Sequence, residues 1–371
     1  MPHEFFNPVR SIYGPGTLSR LPELLAGRKA VVVTFPEARQ FGLVERLQAL
    51  LGDLLVGVID TVQPNPDVAE LQALYEGFWR DPHSAEVLVA VGGGSSIDTA
   101  KALMVGTGSG RFKDLVAALE AGQPFTPARL KTLIAVPTTA GTGSEVTPWA
   151  TVWDRNAQRK YSLHLPETWP SAAIVDPELM LSLPASVTLQ SGLDALSHAL
   201  ESIWNVNANA VSDTFAVAAV QEIFEALPVL MRKLGDVSLR GRMALAALKA
   251  GMAFSNTRTA LAHSISYEMT LRYGLPHGIA CAFPLPMVLQ RAIGQDAGRD
   301  AVLAQALGPL EHAPQRLSSF IERLGVKTRF SDYGVSDEQA EQMVAHALTG
   351  ARGKNFIGTA GQQVPQQKET A

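Results

Sequence analysis

Glu86-Val-Leu-Val-Ala-Val-Gly-Gly-Gly-Ser-Ser-Ile-Asp-Thr-Ala-Lys101 runs from an apolar, β-branched segment through three glycines into a helical pattern. Glycines let the backbone approach a phosphate. A helix that starts at the loop adds free N–H groups and the positive end of its dipole. The spacing is not G-x-G-x-x-G, so the common dinucleotide fingerprint is absent. Standing alone, the loop reads equally as a tight strand-to-helix turn.

The neighbouring sequence favours the ligand reading. Residues 30–35, 54–59 and 132–136 are similar short apolar runs, with helical patterns at 44–51 and 68–79 between them. Continuous apolar strands alternating with helices predict a parallel sheet covered on both faces. A second polar loop, Pro137-Thr-Thr-Ala-Gly-Thr-Gly-Ser-Glu145, follows the 132–136 strand. Both loops should open at the carboxyl edge of the sheet, where open α/β folds bind ligands, and together they suggest a dinucleotide.

Beyond Pro148 the pattern changes. Residues 151–153, 160–164 and 172–175 read as further short strands. From about Pro184 onward apolar residues recur at helical spacing over 189–204, 213–233, 239–254 and 259–273. The expected organisation is an α/β dinucleotide-binding domain over residues 1–183 and a helical, metal-binding domain over 184–360. A polar, Gln-rich tail over 361–371 is expected to be disordered.

The chain has 371 residues, 46 % of them hydrophobic and 18 % charged, and a net charge of −4. Its mean hydropathy is +0.09. This suits a globular chain and disfavours a basic nucleic-acid surface. One cysteine, Cys281, excludes an intrachain disulfide framework and a Cys-rich zinc site. No apolar run reaches the ~18 residues of a membrane helix, and residues 1–10 lack the apolar core of a signal peptide. A cytoplasmic protein with neither membrane nor nucleic-acid partners is expected.

Asp194-Ala-Leu-Ser-His198 places a carboxylate and an imidazole four apart, on one helix face. Glu201 lies near the same stripe and is read as a partner of His198 or a consequence of amphipathicity. His263 sits in the 259–273 helix, and His277 follows the break at Gly274-Leu-Pro276. One carboxylate and three imidazoles could close on a divalent transition metal, although the spacing also fits buried structural residues. His3, His83, His164, His312 and His346 have no comparable arrangement.

With Pro64-Asn-Pro66, Gly192-Leu-Asp-Ala-Leu-Ser-His198 and Pro276-His-Gly278, these motifs resemble the iron-containing, group III alcohol dehydrogenases over nearly the whole chain. The resemblance implies a Rossmann-like α/β domain followed by an all-α domain, as in dehydroquinate synthase-like folds, with the active site in the cleft. It implies Asp194, His198, His263 and His277 as ligands of Fe²⁺, or of Zn²⁺ or another divalent ion. NAD or NADP would be held by Gly93, Gly94, Ser95, Asp98, Thr138, Thr139, Thr142 and Lys160. A homodimer or larger homo-oligomer is implied as well.

Three positions depart from the usual pattern. Phe35 follows the first strand where many members carry an acid for the adenosine ribose. Nearby Arg39 would suit a 2′-phosphate while Glu37 opposes one, so NAD and NADP both stay open. Tyr267, one turn after His263, is either a proton donor to the substrate oxygen or an aromatic wall. Arg258, flanked by Asn256, Thr257 and Thr259, is either a surface arginine or a site for an anionic substrate group.

This last combination is similar to the phosphonoacetaldehyde reductase branch. The implied reaction is hydride transfer between nicotinamide and a small aldehyde or alcohol, specifically phosphonoacetaldehyde to 2-hydroxyethylphosphonate. A general short-chain alcohol or diol dehydrogenase is the alternative. A sugar-phosphate cyclase and a non-catalytic dinucleotide-binding protein rank below both.

Overall fold

The computed structural model describes residues 4–81, 84–122, 125–157 and 159–359. The expected tail, His3 and His83 lie outside these residues. The strands are β1 (Arg10–Tyr13), β2 (Ala30–Val33), β3 (Leu55–Ile59), β4 (Val87–Gly92), β5 (Val105–Gly106), β6 (Arg129–Leu130), β7 (Thr132–Pro137), β8 (Trp149–Asp154), β9 (Arg159–His164) and β10 (Ala172–Val175). Interleaved with them are α1 (Leu21–Leu25), α2 (Leu43–Leu51), α3 (Val68–Arg80), α4 (Gly94–Met104) and α5 (Phe112–Ala121).

Six strands form one parallel sheet in the order β1-β10-β7-β4-β2-β3. The chain moves outward from β2 to β3, then returns to the other side of β2 as β4. The carboxyl ends of β2 and β4 therefore flank the point where strand order reverses. Alternation along β4 explains its continuous apolar sequence. Leu88 and Ala90 pack into one core with Tyr75 and Trp79 of α3, while Val87, Val89 and Val91 pack into another with Leu47 of α2. β8 and β9 form a separate antiparallel hairpin.

The expected strands at 30–35, 54–59, 86–91 and 132–136 correspond to β2, β3, β4 and β7, all in the parallel sheet. The edge strand β1, paired in parallel with β10, was not anticipated. Its four residues, Arg-Ser-Ile-Tyr, carry little apolar signal.

After β10 the chain is helical, with α6 (Ala185–Ile203), α7 (Ala210–Leu230), α8 (Val237–Thr257), α9 (Leu261–Tyr273), α10 (His277–Ala282), α11 (Leu285–Ala292), α12 (Ala297–Leu307), α13 (Ala313–Arg323) and α14 (Asp337–Thr349). Side-chain caps set two of the longest. Asn209 accepts from Val211 N and Ser212 N at the start of α7, and Asp236 accepts from Ser238 N and Leu239 N at the start of α8. A single apolar core spans α6 to α14. No helix among the described residues is long and apolar enough to cross a membrane.

Candidate functional site

A cleft of about 640 Å³ lies between the sheet's carboxyl edge and the helical layer. The loop after β4 forms one wall. Gly93 caps α4, and a Cβ on Gly94 would approach Thr142 Cγ2 to 2.9 Å, so glycine there lets the two loops pack together. Asp98 ties them further, accepting from Ser144 Oγ at 2.7 Å and from Thr151 N at 2.9 Å. Beneath them, buried Lys101 donates to Ser144 O, Ser144 Oγ and Trp149 O. Burial lowers the Lys101 pKa to about 8, opposed by Asp98 and Glu145. Gly94, Ser95, Asp98, Thr142 and Lys160 line the cleft. Thr138 is buried behind it, its N–H bonded to Gly92 O, and Thr139 packs against Gly93.

Asp194 and His198 share one face of α6, His263 comes from the first turn of α9, and His277 opens α10. A Cβ on Gly278 would lie 2.0 Å from Gln190 O, so glycine permits α10 to reach α6 and bring His277 to Asp194. Asp194 Oδ1 lies 3.5 Å from His263 Nε2 and 3.9 Å from Nε2 of both His198 and His277. His198 stacks between Phe254 and His263 and makes a 3.3 Å contact through Nδ1 with Gly141 O.

Two atoms at this centre reveal its chemistry. Asp194 Oδ1 and His263 Nε2 are buried and have no hydrogen-bond partner. His263 Nδ1 lies 2.7 Å from Glu201 Oε2, so Glu201 holds the proton on that nitrogen and Nε2 is the atom left to offer a lone pair to a metal. Two lone-pair donors facing each other in a buried site call for a cation. A tetrahedral ion with bonds of about 2.1 Å would separate its donors by about 3.4 Å, close to the spacings here. The residues therefore fit a divalent transition metal.

Glu201 serves His263 rather than His198. It stands two turns beyond Asp194 and reaches the start of α9, where it accepts from the backbone N–H groups of Ala260, Ala262 and His263. Cys281 also joins the site. One turn after His277, its Sγ is 3.6 Å from His277 Nε2, and its donor atom groups with those of Asp194, His263 and His277 within 4.8 Å. The exclusion of a Cys-rich zinc centre did not anticipate one thiol beside the imidazoles.

Tyr267 lines the same cleft between two cations. Lys160 Nζ is 4.0 Å from its ring centroid and the Arg352 guanidinium carbon 4.7 Å. Burial raises the Tyr267 pKa, with Arg352 opposing. Burial also drives the Lys160 pKa well down, and Arg352 adds to the effect.

Arg258 ends α8 with φ 68° and ψ 171°, a backbone conformation costly for a side-chain-bearing residue. Its backbone N–H donates to Phe254 O and its carbonyl accepts from Asn205 Nδ2. Arg258 is an exposed residue among those lining the cleft, and its guanidinium has no hydrogen-bond or ion-pair partner among the described residues. His164, read from sequence as unremarked, lines the cleft too, with a pKa lowered by burial and then by Arg258. Arg39 is paired with Asp60, which follows β3, so its charge is compensated.

A family model described as iron-containing alcohol dehydrogenase matches residues 8–177, and a model of that family's C-terminal part matches residues 188–366. The NAD-dependent methanol dehydrogenase of Bacillus methanolicus is 33 % identical over 361 residues, 93 % of each chain. The NADPH-dependent butanol dehydrogenase of Clostridium saccharobutylicum is 28 % identical over 376 residues, 94 % of this chain and 93 % of the relative. The sulfoacetaldehyde reductase of Bifidobacterium kashiwanohense, solved in complex with NAD⁺, superposes with a TM-score of 0.87. It is 27 % identical, and the match covers 96 % of this chain and 95 % of that one.

Proposed function

The chain belongs to the iron-containing alcohol dehydrogenase family, and from that premise we propose a metal-dependent, NAD(P)-linked reductase of small anionic aldehydes. The observation that carries this reading is the unpartnered pair of lone-pair donors, Asp194 Oδ1 and His263 Nε2. Asp194, His198, His263 and His277 would hold the metal, Fe²⁺ by family, with Zn²⁺ or another divalent ion as the alternative. Gly93, Gly94, Ser95, Asp98, Thr139, Thr142 and Lys160 would hold the dinucleotide, its pyrophosphate at the α4 N-terminus, with Thr138 supporting the second loop from behind the cleft. When bound, the ion supplies Lewis acidity toward a carbonyl oxygen and the nicotinamide supplies the hydride.

The chain's own residues do the rest. Asp194 brings negative charge that moderates the site's acidity. Tyr267 delivers a proton to the substrate oxygen as it becomes an alcohol. Arg258 holds an anionic head at the far end of a short aldehyde, with phosphonoacetaldehyde reduced to 2-hydroxyethylphosphonate as the specific reaction. The sulfoacetaldehyde reductase relationship supports an aldehyde with such a head.

The test is an NAD(P)H-oxidation screen of metal-reconstituted enzyme. It sets phosphonoacetaldehyde against sulfoacetaldehyde, propanal and lactaldehyde. A preference for the anionic aldehydes supports the reading. Equal or better turnover of propanal would return the enzyme to general short-chain alcohols.

A further inference from the structure

Arg352 lies on the segment after α14 and contributes to a second feature of the cleft. This segment folds back over the helical layer and is fastened along its length. Asn355 Nδ2 donates to Thr259 O at 2.8 Å, Val206 N to Asn355 O at 2.8 Å, and Ile357 N to Trp204 O at 3.2 Å, while Phe356 is buried in the core. Arg352 is thus presented to the cleft by a fixed backbone. Its Nε donates to Thr259 Oγ1 at 3.0 Å, and its guanidinium lies over Tyr267.

Thr259 is the residue after Arg258, so its hydroxyl fastens Arg352 to the backbone next to the strained arginine, and both arginines line the cleft. Lys160 approaches Tyr267 as well. No carboxylate pairs with Arg258, Arg352 or Lys160 among the described residues. Of the two carboxylates lining the cleft, Asp98 is engaged by Ser144 and Thr151, and Asp194 belongs to the metal cluster. The two arginines keep their charge in this partly desolvated cleft, and a bound anion would compensate it. Each guanidinium offers the forked donors that a tetrahedral oxyanion accepts.

We propose that Arg352 is a specificity-determining residue and the second arm of the substrate-anion site. With Arg258 it would grip the tetrahedral oxyanion head, phosphonate or sulfonate, of an aldehyde whose carbonyl faces the Asp194–histidine cluster. This rests on the reductase reading above and adds a residue that neither the motifs nor the family relationship supplied. Lys160 remains with the dinucleotide.

The experiment compares wild type, Arg352→Ala and Arg352→Lys, each metal-loaded and checked for thermal unfolding. Steady-state reduction is measured with phosphonoacetaldehyde, sulfoacetaldehyde and propanal. Calorimetric titrations use 2-hydroxyethylphosphonate and, separately, NADH. Loss of charge-assisted hydrogen bonds should reduce the ratio of kcat/KM for phosphonoacetaldehyde over propanal by roughly 10- to 100-fold in Arg352→Ala. The loss should be carried by KM, with partial rescue in Arg352→Lys and weaker 2-hydroxyethylphosphonate binding. The larger effect with phosphonoacetaldehyde or with sulfoacetaldehyde identifies the head the site prefers.

An unchanged ratio, or a loss confined to NADH affinity, overturns the proposal. The titrations separate the two levels of inference. Arg352-dependent binding of 2-hydroxyethylphosphonate by an enzyme that reduces no aldehyde keeps the anion site and removes the reductase. Active enzyme whose 2-hydroxyethylphosphonate affinity is indifferent to Arg352 removes only the anion arm.

Discussion

Glu201 Oε2 lies 2.7 Å from His263 Nδ1, and this contact turns the other imidazole nitrogen toward Asp194. The carboxylate fixes the tautomer and orientation of a histidine it does not share a helix with. It also receives the N–H groups at the start of α9, holding the helix that carries His263. Burial raises the Glu201 pKa, but His263 and these N–H groups outweigh it and keep the net shift downward.

Replacing Glu201 by Gln should therefore weaken metal binding while leaving the ligand set in place. Partners of this kind change metal affinity by about 10- to 100-fold. Competition with a chromophoric chelator measures it. Wild-type affinity in Glu201→Gln would reduce Glu201 to a helix cap.

Tyr267, between Lys160 and Arg352, separates proton delivery from wall packing. Tyr267→Phe keeps the ring and removes the hydroxyl. A proton-donor role predicts a fall in kcat of roughly 100-fold, the scale of general acid catalysis, with an altered pH profile. Unchanged turnover across pH leaves only the wall.

The Arg39–Asp60 pair bears on the nucleotide. With the Arg39 charge compensated, the wild-type enzyme is expected to favour NADH. Asp60→Asn frees the guanidinium for a 2′-phosphate, since that group seeks a cation. The kcat/KM ratio of NADPH to NADH should rise by about tenfold, the value of one moderate charge-assisted contact. An unmoved ratio would place Arg39 away from the ribose.

Glu145, buried in the second loop, gives a stability signature. Burial pushes its pKa up to about 7, opposed by its own backbone N–H and by Lys101. A carboxyl raised in the fold is stabilising when protonated, and that contribution is lost as pH climbs from the unfolded value toward 7. Above pH 7 the cost of keeping it ionised is at most about 3 kcal/mol. Glu145→Gln removes this titration, so its Tm advantage over wild type should be larger at pH 8 than at pH 5. Calorimetric scans at the two pH values decide it, and a pH-independent difference would contradict it.

Much of this was legible in the chain. The β-branched runs that became β2, β4 and β7 announced the sheet, and the glycines after β4 and β7 announced the cleft. Asp194 and His198 share a helix face by spacing alone, His263 and His277 stood out on either side of the break at Gly274-Leu-Pro276, and the resemblance joined the four as one ligand set. What escaped notice depended on contacts between distant segments. Arg352 reaches the site only because its segment folds back onto Thr259 and Trp204. Glu201 was visible, but its partner on α9 was not. Cys281 carried a readable signal, four residues after His277 on one helix. A lone cysteine simply gave no reason to look there. The strain at Arg258 is a backbone property that no residue type encodes.

The most direct test of the central claim is metal removal and return. Enzyme stripped with a chelator is assayed for NAD(P)H oxidation with phosphonoacetaldehyde, then reloaded with Fe²⁺ or Zn²⁺ alongside Asp194→Asn. The account predicts loss of activity on stripping and recovery near one equivalent of metal. It also predicts neither tight metal binding nor recovery in Asp194→Asn. Full activity in rigorously metal-free enzyme, or undiminished metal binding by Asp194→Asn, would contradict it.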